Sequence, residues 1–172
     1  SFIYAANNGA VIAQNSWEYA WTGSEGQLTA TDKAAIDYFV EKAGTDGMGT
    51  QTGPLKGGIV IFATGNSDLN EKVLPASYEP VFSVSSYGPD YRKAAYSNYG
   101  YWVDVTAPGG RGEYADGKQV FSTYPQGLYG FMEGTSMACP HVSGIAALVV
   151  SKYGLNTDGT VKPGFTNDDL KD

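Results

Sequence analysis

One histidine and one cysteine stand among 172 residues. A lone cysteine closes no internal disulfide and builds no cysteine-rich metal site. A lone histidine restricts acid–base chemistry, because histidine is the side chain that titrates nearest neutral pH. Positive charge is scarce too. Eleven Lys and Arg face 18 Asp and Glu, giving a net charge of −7. With no Lys/Arg cluster, no nucleic-acid partner is expected. Long apolar runs are also missing. The stretch over residues 145–150 is far short of the about 20 residues that cross a bilayer, so no membrane span is expected. The chain begins at Ser1, and no signal peptide is visible.

What is present is glycine, 23 of it, with 13 tyrosines and 42% hydrophobic residues. Glycine without a three-residue period excludes collagen, and the apolar content excludes disorder by composition. The remaining role of so much glycine is in turns and close backbone approaches. Residues 2–6 are helix-compatible, and 10–13 read as a short strand. Residues 18–29 form a turn-rich aromatic stretch. Ala35, Ile36, Phe39, Val40 and Ala43 line one face of a helix over 31–43, with Thr31 as its cap and Asp32 in its first turn. The uninterrupted run IVIFA, 59–63, suits a strand buried on both faces of a parallel sheet. Residues 81–84, 103–105 and 120–123 are further strand candidates. Residues 136–152 are apolar nearly all round, which predicts a central buried helix starting at Ser136, with Pro140 confined to its first turns. A last helix begins near Thr166. Alternating strands and helices indicate an α/β layered fold in one domain.

The segment 133–144, EGTSMACPHVSG, carries the most chemistry. Gly134 and Thr135 turn into the apolar helix and leave Ser136 at its amino end, where unpaired N–H groups and the dipole's positive end converge. A serine there suits nucleophilic attack, and its own N–H can hold a developing oxyanion. A serine at a helix start is, by itself, more often a plain cap. His141 lies five residues on, about 140° around the axis from Ser136, so it reads as a structural residue. Glu133 reads as a rim residue and Cys139 as a small buried hydrophobe.

The eleven residues GTSMACPHVSG resemble the nucleophile motif of the subtilisin-like serine proteases, the subtilases. Further landmarks follow in the family's order: TGNS after the 59–63 strand, LPA at 74–76, YSNYG at 96–100 and VTAPG at 105–109. The resemblance covers almost the whole chain. It implies part of a three-layer, mostly parallel subtilisin-like fold and a serine endopeptidase acting through an acyl-enzyme. Ser136 would be the nucleophile and Asn66 the side-chain donor of the oxyanion hole. Ser16, Trp17 and Glu18 would pair with the substrate backbone. Glu18 stands where many members have glycine, so it would crowd or charge the cleft. Ala63, Thr64, Gly65 and Val73 would line the main specificity pocket. The family's X–Pro bond after the asparagine strand, here Leu74–Pro75, can be cis.

The family's aspartate and histidine segments do not occur in these residues, although a serine nucleophile needs an oriented base. The expectation is therefore a single, incomplete subtilase catalytic domain over 1–172, inactive alone and completed by an upstream half. Its partners would be a peptide or protein substrate and that missing half. Self-association through uncovered sheet edge and apolar surface is also expected. The alternative is a non-catalytic subtilase-like module that binds peptides or proteins. Family habit places it outside the cytoplasm, secreted or attached to the cell envelope. Calcium commonly stabilises the family. Asp90, Asp104, Asp116 and Asp158 make no recognisable calcium loop, so neither a metal ligand nor a cofactor is assigned.

Overall fold

A computed structural model describes residues 1–19, 27–112 and 117–172. The turn-rich stretch expected over 18–29 therefore lies partly outside the described residues, as does Asp116. Four parallel strands form the main sheet: β1 (Ile12–Asn15), β2 (Ile59–Ala63), β3 (Phe82–Tyr87) and β4 (Val105–Pro108), in that spatial order. The IVIFA run is interior and buried at every position.

The pleat of β2 explains the layering, because alternate side chains leave opposite faces. Val60 and Phe62 pack with Ala6, Ile36 and Phe39 of the helices α1 (Phe2–Asn7) and α2 (Ala30–Lys42). Ile59, Ile61 and Ala63 pack with Ala138, Cys139 and Ala146 of α3 (Thr135–Gly154). Helices thus cover both faces of one sheet, and α3 touches all four strands. The expected three-layer α/β architecture is present.

Several boundaries differ from the sequence reading. The first strand lies two residues later than 10–13, in register with β2 from Ile12↔Ile59. β4 starts at Val105 because the residues before it are held by side chains instead of a ladder: Asp104 Oδ2 accepts from both Ser83 N–H and Ser83 Oγ–H at 2.7 Å. The cap of α2 is Thr29, not Thr31. Thr29 Oγ1 accepts from Asp32 N–H at 3.1 Å and donates to Asp32 Oδ2 at 2.6 Å, a reciprocal capping arrangement. The 120–123 strand exists as β5 (Val120–Tyr124), but it stays out of the parallel sheet. It forms an antiparallel hairpin with β6 (Leu128–Met132), a strand that escaped the sequence reading. α3 starts at Thr135, one residue before Ser136. It buries one face against the sheet, while Ile145 and Leu148 on the other are 60% and 72% exposed. Its uniform apolarity does not by itself say which neighbours are there to cover it. The last helix, α4 (Asn167–Lys171), begins with a Thr166–Asp169 capping box. Among the described residues no helix is long and apolar enough to cross a membrane.

Candidate active site

Ser136 sits in the first turn of α3, half-buried, and no described group hydrogen-bonds its Oγ. Pro140 has no N–H to give the carbonyl four residues back, so Ser136 O lacks its helical partner. Ser16 fills that gap, donating its Oγ–H to Ser136 O at 2.9 Å. The helix defect thereby ties the chain after β1 to the start of α3.

Asn66 follows the carboxyl end of β2 and reaches the same place. Its Oδ1 accepts from Thr135 N–H and Thr135 Oγ1–H, both at 2.9 Å. An N–H can only donate, so this contact fixes which end of the amide is oxygen and leaves Nδ2 directed elsewhere. Gly134 shows where. A Cβ built on it would lie 3.5 Å from Asn66 Nδ2 and 3.6 Å from Ser136 N. Two donors therefore border one small space kept open by a glycine at φ 146°. Such a pair of donors can stabilise negative charge developing on an oxygen.

Two residues without an assigned role in the sequence reading hold this arrangement. Thr135, only 1% exposed, also accepts from Gly65 N–H at 3.2 Å through Oγ1. Asn98, equally buried, brackets Asn66 in the chain: its Nδ2 donates to Thr64 O at 2.8 Å, and its Oδ1 accepts from Ser67 and Leu69 N–H at 3.0 Å. The string YSNYG contained Asn98, but only its burial beside the 64–69 turn reveals what it does.

The structure divides the predicted substrate-contact residues into two groups. Ser16, Trp17 and Glu18 are exposed and lie beside the Ser136 and Asn66 region. Trp17 packs edge-on against Phe62 with ring centroids 4.9 Å apart, and its Nε1–H donates to Asn15 Oδ1. The Glu18 carboxylate covers Gly65: a Cβ there would meet Glu18 Oε2 at 2.0 Å. Partial burial pushes the Glu18 carboxyl above its ordinary pKa. Ala63, Thr64 and Val73 are buried instead. Ala63 belongs to the core against α3, and Thr64 Oγ1 donates to Asn98 O. Leu74–Pro75 is cis.

A groove of about 360 Å³ opens beside Ser136, with walls from Phe121, Thr123, Met132, Met137 and His141. The hairpin side of it was not legible beforehand. His141 borders the groove, yet its Nδ1 is 2.8 Å from Met137 O, four residues back on the same helix. A carbonyl only accepts, so the proton on Nδ1 is committed there. Glu133 accepts from Gly112 N–H at 3.0 Å and braces the neighbouring loop. Cys139 is buried, its thiol pushed up in pKa by that burial. A larger hollow of about 620 Å³ runs along β4 and contains none of the predicted site residues.

Among the described residues no three His, Cys, Asp or Glu side chains gather as a metal site. Asp90 pairs with Arg111, Asp104 holds Ser83, and Asp158 holds Thr160.

Comparison with known proteins supplies the family context. The sequence model described as the Subtilase family matches residues 1–171. A thermophilic serine proteinase of Bacillus sp. (strain AK1) is 44% identical over 152 residues, which span 88% of this chain and 31% of that protein. Thermitase of Thermoactinomyces vulgaris is 35% identical over 82% of this chain and 50% of its own length. Among solved structures, a protease from Pseudoalteromonas arctica superposes with a TM-score of 0.71 at 31% identity, covering 99% of this chain and 48% of that one. The chain thus spans half or less of these relatives.

Proposed function

Because the chain belongs to the subtilase family of serine peptidases, we propose that it supplies the nucleophile side of a serine endopeptidase. Ser136 Oγ attacks the peptide carbonyl, and an acyl-enzyme forms that water then hydrolyses. Ser136 N–H and Asn66 Nδ2 receive the oxyanion of the tetrahedral intermediate. The observation that carries this reading is the shared space at Gly134, bordered by both donors next to a serine whose Oγ is free. Thr135 and Asn98 are positioning residues, since each acts through the Asn66 turn.

Proton transfer is assigned to groups outside these residues, because a serine nucleophile needs an oriented base and no described side chain hydrogen-bonds Ser136 Oγ. The 172-residue chain alone is therefore inactive, and the activity belongs to the protein in which an aspartate and a histidine join it. Its substrates are peptides or proteins, and its location is extracytoplasmic, as the family resemblance implies.

The test uses the protein with its complete catalytic domain and the isolated chain side by side. Peptide hydrolysis and labelling by an organophosphorus serine reagent are expected from the first, and both vanish in Ser136→Ala. Hydrolysis by the pure isolated chain, abolished by the same substitution, would overturn the division of labour. Peptide binding without hydrolysis by the complete protein would instead favour a non-catalytic module.

A further inference from the structure

Glu18 is a carboxylate that has no counter-charge among the described residues, in a place where the fold holds it still. Its neighbours on both sides are anchored. Ser16 is bonded to Ser136 O, Trp17 rests on Phe62, Tyr19 N–H donates to Leu74 O at 3.2 Å, and Tyr19 O–H donates to Asp32. The carboxylate itself lies on Gly65, the residue directly before Asn66, in space that any side chain at 65 would fill. No described residue gives it a hydrogen bond or an ion pair. Residues 20–26 and 113–116 hold no Lys, Arg or His, so no cation of this chain is in reserve for it there. Partial burial already raises its pKa, which marks an ionised form that water solvates incompletely.

We propose that Glu18 makes the cleft beside Asn66 select a cationic substrate side chain, lysine or arginine, on the residue whose carbonyl is attacked. The inference rests on the peptidase reading above. If Asn66 Nδ2 and Ser136 N–H hold that carbonyl oxygen, the side chain of the same residue departs from a point next to Gly65, where the carboxylate waits. An ammonium or guanidinium there gives a partly desolvated charge the partner it lacks. An apolar side chain leaves it unpaired, and an acidic one is repelled. The net charge of −7 works in the same direction at longer range. A pocket closed by a glycine in place of Glu18 would have no such preference.

The experiment compares kcat/KM for peptides that differ only in Lys, Leu or Glu before the scissile bond, using the protein with its complete catalytic domain. The expected order is Lys, then Leu, then Glu, with Lys over Leu by roughly two- to fivefold for an exposed carboxylate. Glu18→Gln collapses the Lys-to-Leu ratio towards one, and Glu18→Lys reverses the order of Lys and Glu peptides. Ratios within one variant cancel any loss of folded enzyme. A Leu peptide cleaved as fast as the Lys peptide, or an unchanged ratio in Glu18→Gln, overturns the inference while leaving the peptidase reading intact. Equal acceleration of all three peptides by Glu18→Ala would make Glu18 a steric plug and also overturn it. Cleavage of none of them by the unsubstituted protein defeats the peptidase reading and this inference with it.

Discussion

Asn66 shows how one side chain is given a direction. Its oxygen is occupied twice by Thr135, so its NH2 is left to face the space at Gly134. The contact is worth little as stability on a turn that is open to solvent, but it fixes a dipole where charge would develop. Asn66→Ala should therefore lower kcat of the complete enzyme by roughly 10²–10³ with little change in KM. Equal losses in kcat and binding would contradict a role confined to the transition state. Thr135→Val keeps the shape of the residue and removes the hydroxyl that links Gly65 N–H to Asn66 Oδ1. Its cost should fall on kcat through Asn66, and it should be largely absent in an Asn66→Ala background.

At the level of elements, local signals and tertiary demands can be separated. α2 was readable from its apolar spacing, and its cap was present in the sequence as Thr29-x-x-Asp32. Thr31 is not the cap because it already lies in the first turn of α2, and only the backbone geometry says that the helix begins one residue earlier, at Ala30. Thr29→Ala should lower unfolding stability by about 1 kcal/mol in urea denaturation followed by circular dichroism, while Thr29→Ser should stay near the original. No change in Thr29→Ala would mean that the cap bond does not persist in solution. α3 carries a defect by design of its sequence. Pro140 opens the carbonyl of Ser136, and a residue from 120 positions earlier closes it. Proline's missing donor is legible in the sequence, whereas the identity of Ser16 as the replacement needs the sheet that brings β1 next to α3.

For the molecule as a whole, the balance of covered and uncovered apolar surface is unequal. The core on either side of β2 is closed, with Phe39, Phe62 and Ile61 at 0% exposure. The outer face of α3 is open at Ile145 and Leu148, and the hairpin displays Phe121, Tyr129 and Phe131 at 59%, 67% and 52%. Patches of this kind drive association in water. The isolated chain should elute above its 18.2 kDa mass in gel filtration with light scattering. Leu148→Glu combined with Ile145→Lys should shift it towards monomer. A monodisperse monomer of the unsubstituted chain would defeat the expectation.

The sequence by itself determined the layered α/β class, the strand at the centre of the sheet, the helix that follows Gly134 and the candidates Ser136 and Asn66. Those features are written in periodicity, in apolar runs and in a motif of mixed chemistry, all of which are local. Only the tertiary structure decided that Thr135 and Asn98 orient Asn66, that Ala63, Thr64 and Val73 turn inward, that β5 joins a hairpin, and that Glu18 lies over Gly65. Each of these depends on partners far away in the chain, and hydrogen bonds or clashes at a few ångströms leave no trace in residue order. The single histidine that opened the sequence reading acquires its meaning the same way. Its five-residue spacing already turned it away from Ser136, and the hydrogen bond to Met137 O shows the partner its Nδ1 takes instead.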